Sequence, residues 1–322
     1  MTPDARFDLR IACARGAGVV ALLGPTSTVI VNGGVGPDRL KRLLARSNRR
    51  LSDIDAVLLS NERAERVAGL PALLQRHEVR VFATPGTLRS LSERYAWSPH
   101  AVPVTHGEPM LCGDFVVTAF DVPARGTHPV AWRIEGNGVS AVVAVDVATP
   151  DRRLAEWMSN LDVLVLEAHY DDALLDRGTA DQRRVLPGRG GRLSNADAGQ
   201  LVARASFQPD GRVVLVDLDP MLNDAGRARR VVQAVAPPGL QVGAIPGHAD
   251  DVRVRFEPPA PEHEPDIELQ HPPEPATASP HKPADASPND GAGSDIEPPE
   301  DPVPPPKPAP PSGQLAFGFG DD

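Results

Sequence analysis

Short apolar runs rich in β-branched residues alternate with stretches of helical periodicity through the first 256 residues. The runs Val19–Leu23, Thr28–Val31, Ala56–Leu59, Arg80–Ala83, Phe115–Phe120, Ala131–Ile134, Ser140–Val145, Val163–Glu167 and Val213–Val216 predict strands. The periodicity predicts helices over Pro37–Ser47, Glu65–Arg76, Pro85–Tyr95, Arg152–Trp157, Asn195–Ala205 and Asp224–Val235. Pro85 suits the first turn of its helix, and Ser194 stands in capping position before Asn195. Interleaved strands and helices over residues 1–256 predict a single α/β domain with helices outside packed sheets.

Beyond Phe256 the pattern stops. Residues 257–322 hold 19 of the 36 prolines and 14 acidic residues against Lys282 and Lys307, a net charge of −12. The whole chain carries −10, so the first 256 residues sit near +2 and the acidity belongs to the tail. A segment such as Asp301–Pro311, seven of whose eleven residues are proline, is poor in backbone donors and pre-set to polyproline geometry. It buries too little to offset its ordering entropy, so residues 257–313 are expected to form a disordered, semi-stiff acidic linker. No apolar run reaches signal-peptide or membrane-span length, and no membrane partner is expected. The two cysteines, Cys13 and Cys112, are too few for a disulfide framework, and a reducing cytoplasm is the expected location.

Six stretches stand in a characteristic order: Val29–Gly34, Ile54–Leu59, Ala83–Leu88, Gly113–Pro123, Val165–Ala168 and Leu193–Gly199. In order and spacing they resemble the metallo-β-lactamase superfamily, in its single-domain bacterial branch of exonuclease-like and phosphodiesterase-like proteins. The resemblance implies an αββα sandwich of two mixed sheets flanked by helices, and zinc or manganese held by histidines and carboxylates at strand ends. Such a metal lowers the pKa of a bound water and makes it a nucleophile. The family signature Thr-His-x-His-x-Asp-His, followed by Gly-Leu, corresponds here to Ser60-Asn61-Glu62-Arg63-Ala64-Glu65-Arg66, with Gly69-Leu70 following. Asn61, Arg63 and Arg66 replace its histidines and Glu65 its aspartate. Ala124 stands where the next histidine belongs, Asp146 keeps the bridging aspartate, and Asp217 replaces the last histidine.

A guanidinium stays protonated and has no free lone pair, so Arg63 and Arg66 bring positive charge without coordinating a metal. Arginine–carboxylate pairs with Asp146, Asp217 and Glu65 are the expected filling of the pocket, and no metal cofactor is expected. Some assignments stay open. Asp146 is either a strand-end cap or part of a remnant pocket, and Glu65, Asp217 and Asp219 together have the oxygens of a hard-cation site. His77, His100, His106 and His128 read as surface or loop residues, and His169 is not placed as a catalytic histidine. Ser194 reads as a helix cap rather than a nucleophile. Gly188–Arg192 reads as a basic flexible loop, either solvated or touching phosphates.

The tail ends in a compact apolar pattern, Gln314-Leu315-Ala316-Phe317-Gly318-Phe319. It resembles the bacterial sliding-clamp-binding peptide, with Phe317 in place of the usual leucine. Gln314 would bond a pocket rim, while Leu315, Phe317 and Phe319 would bury apolar area on a tethered partner. Three functions follow. The first is a non-catalytic binding or accessory protein linked to DNA replication or repair through that motif. The second is an active hydrolase of phosphodiesterase or nuclease type with a rebuilt acidic metal site. The third is a scaffold that merely carries the tail. Direct contact with nucleic acid stays open.

Overall fold

The computed structural model describes residues 7–14, 17–93, 100–187, 191–247 and 252–256. They lie in the first of two units, 1–262 and 263–322. The predicted linker at 257–313 and the motif residues Gln314, Leu315, Phe317 and Phe319 fall outside the described residues.

The strands are β1 (Phe7–Ala14), β2 (Ala17–Leu23), β3 (Thr28–Val31), β4 (Ala56–Leu58), β5 (Arg80–Ala83), β6 (Ala101–Pro103), β7 (Pro109–Cys112), β8 (Phe115–Asp121), β9 (Val130–Gly136), β10 (Val139–Ala144), β11 (Leu161–Glu167), β12 (Phe207–Val216), β13 (Gln241–Ala244) and β14 (Val252–Phe256). The helices are α1 (Pro37–Ala45), α2 (Ala64–Val67), α3 (Leu70–Leu74), α4 (Pro85–Ser92), α5 (Arg152–Trp157), α6 (Ala180–Val185), α7 (Asn195–Arg204) and α8 (Ala225–Gln233). One sheet runs β14-β1-β2-β3-β4-β5-β6, and the other runs β13-β12-β11-β10-β9-β8-β7. Both are mixed. In the first, pairing is antiparallel from β14 to β3 and parallel from β3 to β6. In the second it is parallel from β13 to β10 and antiparallel from β10 to β7.

The central strands are buried on both faces, which is why they read as continuous apolar runs. Val29 and Val31 of β3 point into the core between the sheets, while Ile30 points out against Leu40, Leu43 and Leu44 of α1. In the second sheet Ala141 and Val143 point inward, and Val142 points out to the layer that holds Leu201, Val202 and Val232. Phe115 and Trp132 fill the inter-sheet core. Burying a side chain such as Phe115 stabilises the sandwich by roughly 1.5–3 kcal/mol. The result is the αββα sandwich that the resemblance implied.

Several predicted helices are shorter at their ends than expected, Pro37–Ser47 stopping at Ala45 and Asp224–Val235 running from Ala225 to Gln233. Pro85–Tyr95 is helical only to Ser92 among the described residues. Glu65–Arg76 is two short helices, α2 and α3, broken at Ala68 and Gly69. The break comes from the end of β3. The Gly33 amide donates to the Arg66 carbonyl at 2.6 Å, and the Gly69 amide donates back to the Gly33 carbonyl at 2.8 Å. A Cβ on Gly69 would lie 1.8 Å from the Val35 carbonyl oxygen, so only glycine lets the loop this close. Local periodicity continues through the break, and the tertiary contact interrupts it. The edge strands β6, β7, β13 and β14 and their neighbour β1 escape the pattern because they are short or interrupted by charge. In β1 the alternation is real: Leu9, Ile11 and Cys13 face the core. Its opposite face carries the buried Asp8 and Arg10, and Asp8 is paired with Arg253 at 2.7 Å.

Candidate functional site

Three strand ends converge on one cluster. β3, β10 and β12 are followed by Asn32, Asp146 and Asp217, at φ of 63°, 62° and 58°. This left-handed backbone is strained for most side chains, but short Asn and Asp tolerate it. Asn32 accepts the Ser60 amide at 2.9 Å and so aims the loop after β4. That loop feeds Arg63, Glu65 and Arg66 into the space beside Asp146 and Asp217.

Arg66 is the centre. It is 1% exposed, its Nε donates to Asp146 Oδ2 at 2.5 Å, and its Nη2 donates to Asp217 Oδ2 at 2.5 Å. One guanidinium therefore bridges both carboxylates. Asp146 also accepts Asn61 Nδ2 at 2.9 Å and Arg63 Nη1 at 3.4 Å, and it lies in ion-pair contact with Arg192 Nη1 at 2.6 Å. With Arg66 that makes three hydrogen-bond donors on its two oxygens, with the Arg192 guanidinium packed beside them. Arg63 also reaches Glu65 at 2.9 Å on the partly exposed rim. Ala124 is half-buried, packs against the outer apolar layer and offers no polar side-chain atom.

Arg192 and Glu167 are members of this cluster that the residue patterns did not single out. Arg192, expected in a basic flexible loop either solvated or touching phosphates, is instead buried and spans Asp146 and Glu167, the latter at 3.3 Å. A glycine-rich context concealed it, because a flexible stretch gives no hint of which side chain turns inward. Glu167 did leave a signal, a glutamate closing the apolar run of β11. Its carboxylate also accepts the backbone amide of Asp146, which pins that left-handed turn.

The electrostatics follow from burial and pairing. Burial opposes the Asp146 charge, but Arg66, Arg192 and Arg63 outweigh it and hold the carboxyl well below its usual range. Burial likewise opposes the Arg66 charge, and Asp146 and Asp217 raise its pKa well above the ordinary value. For Glu167 burial wins over Arg192: with Asp146 and Asp217 adding repulsion, its pKa is pushed up to about 7. His169 lies outside the cluster. Its Nδ1 is 2.8 Å from the Asp217 carbonyl, and burial and Arg192 lower its pKa. Ser194 caps α7, accepting the Asp197 amide. His106 and His128 sit at the surface on Asp121.

The residues present do not fit a zinc- or manganese-type centre. A guanidinium stands between the two carboxylates that would ligate it, and the Asp146 oxygens already face Asn61, Arg63, Arg66 and Arg192. Among the described residues no group of three or more His, Cys, Asp or Glu side chains is placed to hold a metal, the Glu65–Asp217–Asp219 combination included. The void beside Arg66, Asp217, Cys13 and Asn32 measures about 10 Å³, room for about one water.

Comparison with known proteins agrees with the fold. The family model for the beta-lactamase superfamily domain matches residues 28–215. The chain belongs to that superfamily. Among its relatives is the exodeoxyribonuclease WalJ of Streptococcus pneumoniae, 25% identical over 183 residues, which span 55% of this chain and 68% of WalJ. The metallo-β-lactamase fold protein YhfI from Bacillus subtilis superposes with a TM-score of 0.60 at 14% identity, covering 77% of this chain and 99% of YhfI. Zinc-bound PqqB from Methylobacterium extorquens superposes with a TM-score of 0.58 at 19% identity, covering 77% and 99%. Among the described residues of this superfamily member, no helix is long and apolar enough to cross a membrane.

Proposed function

We propose that this chain is a binding or accessory protein on the metallo-β-lactamase fold, in which arginine has replaced the metal and metal-dependent hydrolysis has been given up. The observation that carries this reading is the buried guanidinium of Arg66 bridging Asp146 and Asp217. A guanidinium neutralises the carboxylates but cannot activate a water, since it has no lone pair or open coordination position. The exodeoxyribonuclease relatives and the Gln314–Phe319 pattern support a place beside DNA-processing machinery, with the tail motif engaging a bacterial sliding clamp.

Metal content tests the reading. The purified full chain, dialysed against zinc or manganese and then metal-free buffer, is expected to retain far less than one ion per chain. Tight one-to-one retention, lost in Asp146→Ala together with hydrolysis of a phosphodiester, would favour an active hydrolase instead. For the tail, capture on an immobilised sliding clamp is expected to disappear in the double variant Gln314→Ala, Phe317→Ala. Undiminished capture removes the clamp from the proposal.

A further inference from the structure

Away from the guanidinium cluster, α1, the 3-10 turn Leu51–Asp53 and α3 line a groove of about 380 Å³. That is within the size range of ligand sites. Leu73, buried, and Leu51, half-buried, give it an apolar floor, continued by Ala72. Lys41, Arg49, Arg50 and Arg76 surround that floor, and Asp38 is the one acidic side chain among the lining residues.

The cationic charge here is largely uncompensated. Arg50 pairs with Asp53 at 3.1 Å, an exposed contact of small energy. Lys41 and Arg76 have no ion-pair partner among the described residues. Arg49 is held in place without being neutralised: its guanidinium donates to the carbonyls of Gly24 at 2.8 Å, Pro25 at 2.9 Å and Thr26 at 3.3 Å. Its position is therefore settled before any ligand arrives, which lowers the ordering cost of binding.

Apolar floor and basic surround together select the ligand. A single-stranded nucleic-acid track would call for aromatic platforms on which bases stack, and no Phe, Tyr or Trp lines the groove. An extended phosphate chain would also leave Leu51 and Leu73 without use. An acidic peptide with one apolar anchor satisfies both features. We propose that this groove docks an acidic segment of a partner protein. A leucine-sized side chain enters over Leu51 and Leu73, and flanking Asp or Glu side chains meet Lys41, Arg49 and Arg76. The site shares no residue with the guanidinium–carboxylate cluster, so it stands or falls separately from the function proposed above.

The test is fluorescence anisotropy on the full chain with a labelled Glu-Asp-Leu-Leu-Asp-Glu peptide. Saturable binding is expected, weakened about tenfold or more in the double variant Lys41→Glu, Arg76→Glu, whose two positions are exposed and outside any core. A matched peptide with serine in place of both leucines is expected to bind comparably weakly. Three outcomes overturn the proposal. They are absence of saturation, unchanged affinity in the double variant, and a single-stranded oligonucleotide of equal charge binding at least as tightly as the peptide.

Discussion

Arg66 holds two buried carboxylates that, without it, would face each other in a space closed to water. Breaking a buried ion pair by removing one partner leaves an uncompensated charge and costs on the order of 3–5 kcal/mol. Arg66→Ala should show that loss in urea denaturation. Arg66→Lys should be intermediate, because a compact ammonium cannot span from Asp146 to Asp217 as Nε and Nη2 do. A loss under about 1 kcal/mol for alanine would mean that the bridge contributes little. Glu167 supplies a pH signature. Its pKa of about 7 in the fold stands above the ordinary 4.5, so the native state holds this proton more tightly than the unfolded chain does. The ionised form thus costs stability: the penalty is absent below the ordinary value, grows as pH rises from about 5 to 7, and is complete above that. The melting temperature should fall over this window, and Glu167→Gln should flatten the slope. An unchanged profile would locate the titration elsewhere.

At the scale of elements, the junction between α2 and α3 decides where Arg66 points. Its carbonyl is tied to Gly33, and Gly69 is pressed against the Val35 carbonyl. Gly69→Ala forces a Cβ into backbone, which cannot yield as a flexible side chain would. The expected cost is about 3 kcal/mol in chemical denaturation, with the Arg66 bridge disturbed as well. A variant as stable as the parent would show that the β3 loop shifts at little cost. The strand ends obey a similar logic. Asp146 stays left-handed because Glu167 accepts its amide, so a side chain from β11 maintains a turn at the end of β10.

For the molecule as a whole, the cluster ties both sheets together: Arg66 follows β4 in one, while Asp146, Glu167 and Asp217 end β10, β11 and β12 in the other. A metal bound only by the native state would make stability depend on metal concentration. An arginine belongs to the chain and does not dissociate. Excess EDTA should therefore move the melting temperature by no more than about 1 °C, followed by scanning calorimetry. A fall of several degrees, reversed by zinc or manganese, would sink the function proposed here.

Local patterning was enough to specify the central strands and most helices, since Val29–Val31 or Val142–Ala144 are apolar on both faces and have few alternatives to a doubly covered sheet. The resemblance to the superfamily's ligand motifs likewise rests only on order and spacing around Asn61–Arg66, Asp146 and Asp217. The tertiary structure alone decided the break at Gly69, the inward turn of Arg192 and the burial that pushes Glu167 up to about 7. Each of these arises from groups far apart in the chain meeting in space. Local periodicity carries no record of such a meeting, and a charge's energy depends on how much water its neighbours remove.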